Sequence, residues 1–333
     1  MRDVHVEGHG AALALTGQRL KVRLADGRSS EVALNRVRSV TVHGPATSLS
    51  GAALLALAAR GIHLTILGRG GQDSAMLLSS RGHATARVRA AQFQSIEDDA
   101  QAARLCKELV ATKVRNQRAV LLYFAKYSAR RAPDRCSELK AAGEQLIATL
   151  AAGDRVQAAH HANWRERYFG VEGHAANLYW AVLRTNGLLP GSFERRIGRG
   201  ASEVTNSALN YGYAILESRV QAALLRAGLE IHAGFFHRQR PGKPSLVLDM
   251  MEIFRPWVVD RSVIKLRRFL DGKTELDAAT RKRLTGEVSD VFSRRYPYRG
   301  RRVSLDSILQ RQCYRLAGTF CDGRAFKGYR FAW

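Results

Sequence analysis

The chain has 333 residues, 46% apolar and 25% charged, a balance that excludes a disordered or collagen-like polymer and leaves room for about two domains with buried cores. Fifty-three Lys and Arg against 29 Asp and Glu give a formal charge of +24. Solubility needs far less, so the expected partner is a large polyanion rather than a small acidic molecule.

Four cysteines without C-x-x-C spacing point to reduced thiols in the cytoplasm and away from a disulfide frame or a zinc knuckle. The N-terminus has no apolar signal core, and the apolar run from Gly51 to Leu67 is interrupted by Arg60 and His63. No membrane span is expected.

In chain order, residues 1–88 read as a β domain. Strands are expected at Ala11 to Leu15, Arg19 to Leu24, Glu31 to Leu34 and Val37 to Val42, parted by Thr16-Gly17 and Ala25-Asp26-Gly27. An Ala/Leu-rich helix from Ser50 to Arg60 follows. Next come a strand from Ile62 to Leu67, a turn at Gly68, Gly70 and Gly71, and a last strand near Ala75 to Leu78. The glycine cluster lacks the spacing and the Lys-Ser/Thr of a phosphate-binding loop, so it reads as a tight turn. Arg81 to Ser95 reads as a hinge. From about Asp98 the period becomes helical: Val110, Val114, Leu121 and Phe124 keep one face, and Leu209, Tyr213, Leu216, Val220 and Leu224 another, with Gly228 as C-cap. The fold class is therefore α+β in two domains, with residues 89–333 forming the larger, mainly α-helical one.

Three segments of the larger domain carry candidate chemistry. A helix from Gly170 to Asn186-Gly187 has the stripe Ala176, Tyr179 and Leu183, which extends back to Glu172 and puts a carboxylate on the buried face. Such a group needs an Arg or Lys, a metal or a raised pKa, unless it serves only the positive end of its helix. The second segment, Ser245 to Trp257, is apolar nearly all round, with Asp249 and Glu252 as an acidic seam and Arg255 a turn further on. Two like charges on a mostly buried helix oppose folding unless a cation lies beside them, either a metal or an arginine. The third is His237, which follows two aromatics and precedes a Pro/Gly loop holding Arg238, Arg240 and Lys243. A lone histidine is more often a packed or exposed residue than a ligand; beside basic residues it favours the neutral form, which is the form that binds a metal, and the basic loop suits a nucleic-acid backbone.

Carboxylates, an imidazole and a cationic surface together suit phosphodiester chemistry with Mg²⁺ or Mn²⁺, and ligation without cysteine argues against zinc. The last 43 residues add 10 basic side chains against 2 acidic ones, with Arg294, Arg295, Arg299, Arg301 and Arg302 among Tyr296, Tyr298 and Tyr314. That mixture fits phosphate contacts with base stacking, or a solvated basic tail.

At these residues the sequence resembles the CRISPR-associated adaptation integrase, the catalytic subunit of the spacer-acquisition complex. The resemblance rests on G-V-E-G-x-A-A-x-L-Y-W around Glu172, G-F-F-H-R-x-R-P-G-K-P-S-L around His237 and L-D-M-M-E-I-F-R-P through Asp249 and Glu252. It also includes E-V-T-N-S-A-L-N-Y-G-Y-A-I-L around Asn206 and G-I-H-L-T-I-L-G-R-G-G at residues 61–71. It implies an N-terminal β domain that forms a homodimer and a helical catalytic domain whose metal ligands are Glu172, His237 and Glu252. Many members carry aspartate where this chain has Glu252, and often aspartate where it has Glu203. Asp249 matches a further acidic position that supports the site or DNA binding, and Asn206 and Tyr211 match supporting or DNA-contacting positions. The implied activity is metal-dependent endonuclease and integrase chemistry, inserting short DNA fragments into a CRISPR array together with a small dimeric partner protein. The rival is a non-catalytic, basic nucleic-acid-binding scaffold whose acidic residues only form salt bridges.

Overall fold

The computed structural model describes residues 2–7, 10–44, 46–68, 74–77, 86–154, 156, 163–198 and 200–332. Two compact units divide the chain, Met1–His83 and Ala84–Trp333.

The first unit is built from alternating strands. β1 (Arg2–Glu7), β5 (Val37–His43), β7 (His63–Leu67) and β8 (Ser74–Leu77) form one sheet in the order β1-β5-β7-β8, parallel except for the last pair. β2 (Ala11–Thr16), β3 (Arg19–Arg23), β4 (Ser29–Ala33) and β6 (Thr47–Leu49) form a second sheet in the order β4-β3-β2-β6. On β3 the pleat sends Leu20 and Val22 inward and Arg19 and Arg23 to water. Inward residues of both sheets share one core with Ala53 and Leu57 of α1 (Gly51–Ala59). Ser50 caps α1, its hydroxyl accepting from Ala53 N.

β1 and β6 are additions to the expected strands. β1 pairs with β5 some thirty residues on, and β6 is only three residues long. Neither announces itself through a local turn. Gly70 and Gly71 lie outside the described residues.

In the second unit, α2 (Ala86–Glu97) occupies most of the stretch expected as a hinge, whose residues 81–85 lie outside the described ones. It packs on α3 (Asp99–Ser128) and α11 (Leu305–Asp322). The 30-residue α3 is central, lying against α4 (Pro133–Asp154), α5 (Trp164–Thr185) and α7 (Ser245–Arg255). α6 (Val204–Arg226) packs on α7 and on α10 (Ala278–Ser293). After α7 the chain makes a π-helical turn, Pro256–Asp260, and continues through α8 (Arg261–Lys265) and α9 (Arg267–Leu270). A hairpin of β9 (Arg295–Tyr298) and β10 (Arg301–Ser304) precedes α11. Among the described residues no helix is long and apolar enough to cross a membrane.

Candidate metal and nucleic-acid site

α7 is buried all round, as its sequence requires. Leu246, Val247, Met250, Ile253 and Phe254 are fully buried, and so are Asp249 and, to 3% exposure, Glu252. Its two carboxylates have different surroundings.

Asp249 is satisfied by the segment before α7. Its Oδ2 accepts from the backbone N–H groups of Phe235 and Phe236 at 2.8 and 3.0 Å, and its Oδ1 from His237 N at 2.9 Å. His237 Nδ1 lies 2.7 Å from the same Oδ1. An ionised carboxylate only accepts, so Nδ1 carries the proton and Nε2 keeps its lone pair for another partner. The ring is fixed further by Phe169 and Phe236, both edge-on to it, at 5.8 and 5.3 Å between centroids. The close approach explains Gly234, where a Cβ would stand 2.7 Å from Asp249 Oδ2. Asp249 is thus a positioning residue for the imidazole.

Glu252 is held by cations. Arg255, one turn on, pairs with Oε1, and Lys113 of α3 lies 2.5 Å from Oε2. The same Lys113 ammonium pairs with Glu172 of α5. A lysine in the middle of the buried α3 therefore sits between two carboxylates from two other helices. Burial opposes the charge on Glu252, but Arg255 and Lys113 outweigh it and hold the carboxyl down to about 2. Burial likewise opposes the charge on Lys113, and Glu252 and Glu172 overcome it and raise its pKa. Glu252 Oε2 is nevertheless buried without a well-directed hydrogen bond.

The structure thus brings Glu172 and Glu252 to one cation, Lys113, while His237 is held by Asp249, which stands one turn before Glu252 on α7. Among the described residues no three His, Cys, Asp or Glu side chains converge as a metal-holding group. Glu172 stands on the flank of α5 rather than in its buried stripe, with its side chain 21% exposed beside Val171, Ala175, Tyr179 and Leu183.

The remaining expected residues divide into buried and exposed groups. Asn206 is 1% exposed; it accepts from Ile197 N and Arg196 and donates to Arg195 O and Glu203. Glu203 caps α6 through Thr205 N and Asn206 N. Tyr211 is buried, with its hydroxyl 3.3 Å from Thr285. Asn206 and Tyr211 are thus both buried, with their polar groups bonded within the fold around α6. Arg238 and Arg240 are exposed and Lys243 half-buried, with Arg238 paired to Glu166. A cleft of about 540 Å³ opens beside His237, lined in part by Trp164, Arg165, Glu166 and Arg238.

Two elements of the site were not expected from sequence. Lys113 lies on the stripe Cys106, Leu109, Lys113, Asn116, Val120, which is buried throughout. A cation in a helical stripe that is otherwise apolar or neutral marks a buried charge in need of a partner. Asp260, on the π-helical turn, accepts from Tyr213 Oη at 2.5 Å, and burial pushes its carboxyl up to about 6 against that bond and the nearby Lys113.

A protein-family model described as "CRISPR associated protein Cas1" matches residues 4–282. The chain is 37% identical over 333 residues to the CRISPR-associated endonuclease Cas1 1 of Francisella tularensis subsp. novicida, covering 100% of both chains. A solved casposase bound to integration product shares the fold, with a TM-score of 0.81 at 21% identity over 100% of this chain and 95% of that one. A Cas6-RT-Cas1–Cas2 complex gives a TM-score of 0.76 at 22% identity, over 99% of this chain and 36% of that one.

Proposed function

The chain belongs to the CRISPR associated protein Cas1 family, and from that premise we propose that it is a metal-dependent DNA endonuclease and integrase. Its proposed reaction inserts short DNA fragments into a CRISPR array. The observation that carries the reading is the convergence of Glu172 and Glu252, from two helices, on a single buried cation, with His237 held by Asp249 one turn before Glu252. The names of its relatives, an endonuclease and a casposase bound to integration product, support the same chemistry.

Two carboxylates and an imidazole are a donor set that fits Mg²⁺ or Mn²⁺, and Glu252 Oε2, buried with no hydrogen-bond partner beyond the Lys113 ion pair, is an atom such an ion would engage. Glu172, Glu252 and His237 Nε2 would hold it once Lys113 gives up its place. A divalent ion there supplies Lewis-acid polarisation of the phosphate and a more acidic attacking hydroxyl. Asp249 keeps the imidazole oriented with Nε2 as the donor atom. Arg255 keeps Glu252 ionised, so the carboxylate is ready to bind a cation at neutral pH.

Arg238, Arg240 and Lys243 lie on the segment that carries His237 and would hold the DNA backbone. A fragment's 3′-hydroxyl oxygen attacks a phosphodiester of the repeat, forming one P–O bond as another breaks. The hydroxyl gives up its proton and the departing oxygen takes one up. Water in place of the hydroxyl gives endonuclease cleavage. Double-stranded DNA, a second copy of the chain and a small dimeric adaptation protein are the proposed partners. The known Cas6-RT-Cas1–Cas2 assembly supports the last.

One observation favours a second reading. Lys113 and Arg255 already neutralise Glu252, as they would in a non-catalytic DNA-binding scaffold. Strand transfer of a labelled duplex into a plasmid bearing a CRISPR repeat, with the partner protein and either Mn²⁺ or EDTA, separates the two. The integrase reading expects product with Mn²⁺ that disappears in Glu172→Gln and His237→Ala while DNA affinity survives. Equal DNA binding with no metal-dependent product from wild type or variants would leave the scaffold.

A further inference from the structure

The β9–β10 hairpin carries four exposed arginines, Arg295, Arg299, Arg301 and Arg302, within eight residues. None of the four has a carboxylate partner among the described residues. They are held in place nonetheless. Arg295 Nε and Nη2 donate to Arg302 O at 3.0 and 2.8 Å, and Arg302 Nη2 donates to Arg295 O at 2.7 Å. Two guanidinium groups are thereby fixed on the outward face of one two-stranded ribbon. Like charges so close oppose pairing of the strands, and an anion would reverse the sign of that effect.

The turn points the same way. Arg299 has φ +48° and Gly300 φ +75°, so both central residues of a two-residue hairpin turn are left-handed. Asn, Asp or Gly suit the first of these positions, and a long side chain there is strained. The chain keeps an arginine at the tip where the backbone disfavours it. The inner face is anchored: Tyr298 is buried near Tyr329, Tyr296 meets Phe331 edge-on, and its hydroxyl lies 3.3 Å from Trp257 Nε1. Trp257 follows Glu252 by five residues, so the hairpin is tied to the segment that leaves the candidate metal site.

We propose that this hairpin is a preformed clamp for the phosphate backbone of duplex DNA, gripping it outside the reacting phosphodiester. The occupant is a polyanion with closely spaced phosphates, because four exposed guanidinium groups without a carboxylate partner among the described residues stand within eight residues. The assignment rests on the DNA reading above and adds a surface to it.

The test is the salt dependence of binding to a short labelled duplex, using the full chain. Each phosphate contact contributes about 0.9 to the slope of log K against log salt. The triple variant Arg299→Gln, Arg301→Gln, Arg302→Gln is expected to lower the slope by roughly 2 to 3, equally on unrelated sequences. Arg299→Asn is the control for folding, since it suits the turn better than the native residue. It is expected to keep or raise Tm while lowering the slope by about one. Wild-type binding with the usual steep salt dependence, left unchanged by both variants, would overturn the clamp and leave the DNA reading intact. Wild-type protein that shows no salt-dependent binding would instead overturn the DNA reading itself.

Discussion

Asp249 and Glu252 stand one turn apart on a single buried helix, yet the regions around them are built differently. On the Asp249 side every contact is a directed hydrogen bond from a fixed donor, three of them backbone N–H groups of residues 235–237. On the Glu252 side the contacts are charges on flexible stems, Lys113 and Arg255, and one oxygen lacks a directed bond. The first arrangement fixes a turn and an imidazole; the second keeps a carboxylate ionised. Directed support of this kind behind a side chain fixes its orientation.

Removing the directed side should have the largest effect. Asp249→Ala leaves three buried N–H groups without an acceptor, at roughly 1–3 kcal/mol each, a large share of a typical stability of about 5–15 kcal/mol. Denaturant unfolding should show a severely destabilised second unit, and a change below about 1 kcal/mol would break the contrast.

Lys113→Met should come next. It leaves Glu172 and Glu252 facing each other without their shared cation, at about 3–5 kcal/mol in EDTA. Mn²⁺ should then raise Tm more than it does in wild type, because the ion no longer competes with an ammonium. An equal or smaller Mn²⁺ shift would mean that Lys113 is only structural.

Glu172→Gln, at a partly exposed position proposed as a ligand, should cost little stability but on the order of 10²-fold or more in strand transfer. Retained activity would remove Glu172 from the ligand set.

The smallest effect concerns Asp260. Its folded pKa of about 6 lies above the ordinary 3.8, so between these values the native state binds more protons than the unfolded state, and stability falls as pH rises. Asp260→Asn should abolish that decline, on the order of 2 kcal/mol between pH 4 and 6. An unchanged pH profile would contradict the burial argument.

The contrast also shows how far the sequence could be read. The α7 segment, apolar nearly all round with two acids a turn apart, revealed its own burial, since period and composition are local properties. The partners were not local. Asp249 is satisfied by backbone groups 12 to 14 residues earlier, and backbone donors leave no mark in composition. Lys113 is 59 residues from Glu172, in a helix whose apolar stripe is legible but whose buried cation has partners only in distant segments. Most first-unit strands were visible from their alternation and turn signals, whereas β1 depends on a distant parallel partner. Asn206 and Tyr211 drew attention through motif resemblance, and only packing shows that both side chains face inward.

The most direct test of the central claim is Mn²⁺ binding to metal-stripped protein, followed by titration calorimetry for wild type, Glu252→Gln and Lys113→Met. The account predicts saturable binding in wild type, its loss in Glu252→Gln and tighter binding in Lys113→Met. Binding that is the same in all three proteins would contradict it, because the ion would then be held somewhere other than the place Lys113 now fills.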